Sequence, residues 1–153
     1  MTNSRFVCVT YIRTTTKKLW QALLEPEFTR QFWCDTWQEC EWKPGAPWRL
    51  MTPDGRAADA GEILEIEPPR RLVLTWRHEL NPDMRAEGYS RLKYELEQQG
   101  TSVKLTVMHE MERADSKLIQ AVSGGWPLII SSLKSLMETG ESLEESRHWP
   151  KGM

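Results

Sequence analysis

Phe6–Trp33, FVCVTYIRTTTKKLWQALLEPEFTRQFW, is the stretch whose reading decides the fold. Its first seven residues, Phe6 to Ile12, are mostly β-branched or aromatic and suit a pleated, half-buried strand. Thr14, Thr15 and Thr16 follow, and each can set a hydroxyl over the free N–H groups of a helix start. Leu19, Trp20, Leu23 and Leu24 then recur at helical spacing, so one face is apolar. Glu25-Pro26 stops this helix and starts another, because proline fits a first turn and fails in an interior. Phe28, Phe32 and Trp33 form the second apolar face. An isolated strand, two short helices and a later meander usually fold around a ligand-sized space.

Beyond Trp33 the pattern changes to strands and turns. Thr36 to Trp42 reads as a strand, and Lys43-Pro44-Gly45 as a turn. Trp48 to Met51 is a short strand closed by Thr52-Pro53-Asp54-Gly55. Gly61 to Glu67 is the next, ended by Pro68-Pro69, neither of which can donate to a ladder. Leu72 to His78 alternates apolar and polar, a longer polar connection covers Glu79 to Glu87, and strands follow at Tyr89–Glu97 and Val103–Glu110. Such short connections imply an antiparallel meander, since parallel strands need crossovers of a dozen residues or more.

A long helix is expected over Asp115–Thr139, with Asp115 or Ser116 as N-cap and Gly140 as C-cap. Leu118, Val122, Trp126, Ile129, Leu133 and Leu136 make its apolar stripe. Pro127 predicts a kink or brief break, and Gly124 and Gly125 predict a close approach to another backbone.

The 153 residues suit one domain, which buries roughly 70% of the surface its unfolded chain exposes. A net charge of −2 without a basic stripe argues against nucleic acid as a partner. No apolar run approaches the roughly 20 residues that span a bilayer, and the start lacks a signal-peptide core, so the expected location is cytoplasmic. Cys8, Cys34 and Cys40 indicate neither a disulfide framework nor a zinc site. Eight tryptophans are the compositional outlier.

The chain resembles the family related to the activator of Hsp90 ATPase, within the START-like (SRPBCC) helix-grip superfamily. The carrying segments are Tyr11–Thr14 through Leu19–Leu23, Trp48-Arg49-Leu50, Gly61–Trp76, Thr106–Glu110 and Gly124-Gly125-Trp126. The resemblance implies an α+β fold: a curved antiparallel sheet of about seven strands gripping the C-terminal helix, with two short helices after the first strand. It implies a single domain over residues 5–140, a cavity between sheet and helix, and flexible termini at 1–4 and 141–153. Superfamily members bind lipids, sterols or aromatic polyketides, and a few are cyclases or aromatases. Hsp90-activating members carry a further N-terminal domain.

Strand side chains alternate, so His78 shares a face with Leu72, Leu74 and Trp76, His109 with Val103, Leu105 and Val107, and Tyr94 with Leu92 and Leu96. The two histidines end strands two spacings apart, about 10 Å, too far to share one zinc ion. They either anchor one ligand or finish strands at the solvent rim, and the rim is the more economical reading. His78-Glu79 and His109-Glu110 cannot act as local pairs, because neighbours on a strand face opposite ways. Trp33, Trp48, Trp76 and Trp126 come from elements that border the cavity in the resembled fold, and Trp20 reads as core. The four either line a cavity or fill a dense core. Trp37 and Trp42 mark a candidate exposed patch.

The expected function is binding of a small hydrophobic or aromatic molecule, with no metal and no diffusible cofactor. The expected lining is Phe32, Trp33, Trp48, Leu74, Trp76, His78, Tyr94, Val107, His109, Trp126, Ile129 and Leu133. The alternative is a chaperone- or regulator-associated interaction module with a protein partner or a second copy. A cyclase or hydrolase is the third reading, and it requires an ionisable residue deep in the cavity. No nucleophile elbow, phosphate loop or zinc-protease motif occurs.

Overall fold

The structure, a computed structural model, describes residues 3–151. Its elements, in chain order, are β1 (Ser4–Ile12), α1 (Thr16–Leu24), α2 (Pro26–Phe32), β2 (Trp37–Cys40), β3 (Pro47–Met51), β4 (Ala57–Glu67), β5 (Arg71–His78), α3 (Pro82–Ala86), β6 (Ser90–Gln99), β7 (Ser102–Met111) and α4 (Lys117–Thr139), then a 3-10 turn at Glu144–Ser146. The seven strands form one open sheet in the order β1-β7-β6-β5-β4-β3-β2, and every pairing is antiparallel. This is the antiparallel meander that the strand-and-turn pattern implies, set in the helix-grip α+β architecture that the resemblance implies.

Local chemistry explains the boundaries. Thr15 caps α1, its side chain accepting from the Lys18 amide at 3.2 Å. Pro26 occupies the first turn of α2, where its missing N–H costs nothing. Ser116, rather than Asp115, caps α4, and Gly140 ends it at φ 87°, a left-handed conformation that suits glycine. The Glu79–Glu87 connection is more ordered than a polar loop. Asn81 caps the short α3, Pro82 starts it, and Glu87 then reaches the start of α4. There the Glu87 carboxylate accepts from Ser116 Oγ at 2.6 Å and from the Lys117 amide at 2.7 Å. Burial opposes ionisation of Glu87, but these bonds outweigh it and hold the carboxyl below its ordinary value.

Strand β4 begins at Ala57, four residues before the expected Gly61, and carries a register shift between Ile63 and Glu65. Gly61 is where backbones meet: a Cβ there would lie 1.8 Å from the Thr75 carbonyl oxygen. Gly124 and Gly125 face open space instead, which corrects the expected close approach in α4. Nor does Pro127 break that helix, which runs continuously from Lys117 to Thr139.

The core fills the concave side. Val103, Leu105, Val107 and His109 alternate inward along β7, as do Leu92, Tyr94 and Leu96 along β6 and Leu72, Leu74 and Trp76 along β5. From α4 come Leu118, Ile119, Trp126, Ile130, Leu133 and Leu136, while Val122 and Ile129 are only half-buried. Hydrogen bonds hold the chain after Gly140 to the fold: the Leu143 amide donates to Ser132 Oγ at 2.9 Å, and the Cys34 amide to the Ser146 carbonyl at 2.7 Å. Trp37 and Trp42 are half-buried; Arg30 covers the ring of Trp37 at 4.8 Å, and Trp42 packs on the core. The exposed apolar row lies elsewhere, at Val7, Val9 and Tyr11 on the outward side of edge strand β1.

Candidate functional site

An apolar cavity of ≈ 190 Å³ lies between the Asp59–His78 end of β4 and β5 and the first half of α4. Trp33, Trp76 and Trp126 supply its aromatic wall, and Leu118, Val122, Ile129 and Met84 its aliphatic wall. Asp59 and His78 are its ionisable residues. Wider hollows of ≈ 470 and ≈ 500 Å³ lie elsewhere, lined respectively by Arg70, Glu95 and Lys104 and by Arg91, Glu110 and Arg113. Their charged walls offer little apolar burial, so the smaller space is the better ligand site.

The polar corner follows from strand register. Asp59 on β4 stands opposite His78 on β5, and Trp76 shares the His78 face two residues earlier. Asp59 Oδ1 receives the Trp76 indole N–H at 2.8 Å and lies 2.9 Å from His78 Nδ1. Asp59 is 6% exposed, and burial raises its pKa while the contacts to His78 and Trp76 pull the other way. Neither Asp59 Oδ2 nor His78 Nε2 has a hydrogen-bond partner among the described residues. The two expected rim residues thus differ: His78 does stand at an opening, yet it is tied to a buried carboxylate that the sequence reading missed.

His109 is no rim residue at all. It is fully buried, which corrects the solvent-rim reading for that histidine. Its Nδ1 accepts the Trp126 indole N–H at 3.2 Å, and its Nε2 lies 2.8 Å from Ser90 Oγ. Because Nδ1 is an acceptor, the ring proton sits on Nε2 and is donated to Ser90. Ser90 in turn donates to the Trp76 carbonyl at 2.8 Å. The chain of donors is closed, and burial lowers the His109 pKa to about 3.

The expected lining residues divide accordingly. Trp33, Trp76, His78, Trp126 and Ile129 meet at the cavity. Phe32, Trp48, Leu74, Tyr94, Val107, His109 and Leu133 pack into the core without bordering it. Trp48 is held by Gln38, whose Oε1 accepts its indole N–H at 3.0 Å while Gln38 Nε2 donates to the Leu23 carbonyl at 2.7 Å. The Tyr94 hydroxyl is buried with no partner among the described residues, and burial pushes its phenol well above the ordinary value. The rings of Trp33 and Trp126 lie 5.2 Å apart, and each is 6.0 Å from Trp76. The tryptophans therefore both fill the core and leave a small space at its edge. Asp59, Met84, Leu118, Ala121, Val122 and Gly125 complete the lining.

Burial raises the pKa of the half-buried Cys34 and Cys40 thiols, which argues against either as a nucleophile. Among the described residues no cluster of three or more His, Cys, Asp or Glu could hold a metal ion, and no helix is long and apolar enough to cross a membrane.

Comparison with known proteins places this arrangement in a family. No curated protein matches the chain. Among solved structures, protein MLL2253 from Mesorhizobium loti is similar, with 21% identity and a TM-score of 0.74 over 88% of this chain and 96% of that one. DynU16, a protein in the dynemicin biosynthetic locus, is 18% identical with a TM-score of 0.73 over 91% of this chain and 49% of that one. The Aha1 dimer from Colwellia psychrerythraea, solved in solution, is 15% identical with a TM-score of 0.69 over 93% of this chain and all of that one (100%). At these identities the likeness speaks for the fold. Residues 13–138 match the family described as activator of Hsp90 ATPase homolog 1-like protein, and the chain belongs to that family.

Proposed function

We propose that the protein binds a small apolar or aromatic molecule in the cavity between Trp76 and the first half of α4. One observation carries this reading: an apolar space bounded by three indoles holds a buried carboxylate–imidazole pair in its wall. Its ≈ 190 Å³ sets the scale. An apolar cavity of about 150 Å³ accepts benzene, so one ring or two fused rings fit, and sterols do not. The likeness to a protein of the dynemicin biosynthetic locus gives the small-molecule reading further support.

Titration followed by tryptophan fluorescence tests it, because Trp33, Trp76 and Trp126 line the space. Naphthalene-sized ligands are expected to saturate the signal, and Val122→Phe, which fills the cavity, to abolish binding while leaving stability near that of the parent. Absence of saturable binding across one- and two-ring aromatics, fatty acids and sterols would defeat the proposal.

A second reading, an interaction module with a protein partner or a second copy, has its own support. Val7, Val9 and Tyr11 are 47%, 49% and 49% exposed on an edge strand, and the similar Colwellia structure is a dimer. Sedimentation of the parent and Val9→Lys tests self-association, which the charge is expected to weaken.

A further inference from the structure

We infer that the molecule taken up by this cavity is a hydroxyarene, a one- or two-ring aromatic whose O–H donates to His78 Nε2. The inference rests on the binding reading above and names its ligand class.

Donor and acceptor supply at the polar corner points to this class. Asp59 Oδ1 already accepts the Trp76 N–H at 2.8 Å, so this oxygen is an acceptor, and His78 Nδ1, at 2.9 Å, is the donor facing it. A neutral imidazole with its proton on Nδ1 carries a bare lone pair on Nε2. That nitrogen has no partner among the described residues, and His78 lines the cavity. Asp59 Oδ2 is likewise unengaged and can only accept while ionised. The indole N–H groups of Trp76 and Trp126 are consumed by Asp59 and His109. Among the aromatic wall only the Trp33 N–H has no hydrogen bond within the described residues. The polar corner is therefore richer in acceptors than in donors, and a ligand that presents an acidic O–H satisfies it. A carboxylate backing an imidazole makes Nε2 a stronger acceptor, which favours a phenolic O–H over an alcohol or an indole N–H. The indole walls favour a flat ring behind that hydroxyl.

The same titration with matched probes tests the claim: 2-naphthol, 2-methoxynaphthalene and naphthalene. The ether keeps the oxygen as an acceptor for Trp33 and lacks the donor. In the parent, 2-naphthol is expected to bind about ten-fold tighter than the ether, the size of one good hydrogen bond. His78→Asn retains an N–H for Asp59 and is too short to place an acceptor at the Nε2 position, so the preference should fall to about unity. His78→Gln, whose longer amide can present an oxygen near the Nε2 position, should recover part of it. Long-range proton–nitrogen NMR of the free protein should show His78 protonated at Nδ1. Equal affinity for the naphthol and the ether in the parent, a preference that survives His78→Asn, or a proton found on Nε2 would overturn this inference while leaving the binding proposal intact. Failure of all three probes to bind would remove both.

Discussion

His78 and His109 close strands that run the same way on one face of one sheet, and they differ in whether their hydrogen bonding is complete. Around His109 every polar atom is used: Trp126 donates, His109 passes the proton on to Ser90, and Ser90 donates to the Trp76 carbonyl. Around His78 the chain is open: Trp76 and His78 both meet Asp59 Oδ1, while Asp59 Oδ2 and His78 Nε2 have no partner among the described residues. The contrast teaches that residue type and strand position do not separate a structural histidine from a binding one. What separates them is the supply of neighbouring donors and acceptors, and a buried ring with both nitrogens paired has nothing left to offer a ligand.

The largest expected effect breaks the closed side. Trp126→Ala removes a side chain 2% exposed and leaves His109 Nδ1 without its donor, so unfolding free energy should fall by about 3–5 kcal/mol in urea titrations. A loss under about 1 kcal/mol would show that the helix is not bolted to the sheet there.

Next comes the wall behind the open side. Gly61→Ala places a methyl group against the Thr75 carbonyl, and the β4 backbone that carries Asp59 must shift. The expected cost is about 1–3 kcal/mol, as for overpacking elsewhere, with weaker binding of 2-naphthol. A variant as stable as the parent would mean the strands separate there freely.

The third test uses protons. His109 stays neutral in the fold down to about 3, while an unfolded histidine charges below its ordinary value of 6.5. The unfolded state therefore binds more protons, and stability is complete above pH 6.5 and is lost as pH falls from there towards 3. Between pH 6.5 and 5, above the ordinary carboxylate range, the parent should lose up to about 2 kcal/mol that His109→Gln does not lose. Parallel pH profiles for the two would disprove the sealed environment.

The smallest effect sharpens the other half. His78→Asn keeps a donor for Asp59 at the edge of the cavity, where the side chain is 14% exposed, so stability should change by less than about 1 kcal/mol. A loss of several kcal/mol would make His78 a structural residue after all.

The fold was legible because its signals are local. Pro26, the glycine-rich turns and the alternation from Val103 to His109 each act over a few residues. The same alternation put His78, Tyr94 and His109 on the inner face, yet partner identity was hidden because Ser90, Trp126 and Asp59 come from other elements. Asp59 was missed for a specific reason. Gly61 looked like a strand's beginning, since glycine and aspartate both disfavour strands, when it is a mid-strand site of close backbone contact. The start of α3 was announced by Asn81-Pro82, an N-cap and a first-turn proline, but its single turn offers too little apolar periodicity to stand out from a loop.

Pro127 has a consequence for how a guest enters a space roofed by a helix. Lacking an N–H, it leaves the Ser123 carbonyl without its intrahelical donor, and this gap falls beside Gly124 and Gly125. Toward the C-terminus Ile130, Leu133 and Leu136 are buried; before the gap Ala121 is exposed and Val122 only half-buried. Local opening should therefore be cheapest over the turn that covers the cavity, and amide hydrogens from Ala121 to Gly125 should exchange with solvent sooner than those from Ile130 to Leu136. The roof can lift while its anchored end and the sheet beneath stay folded.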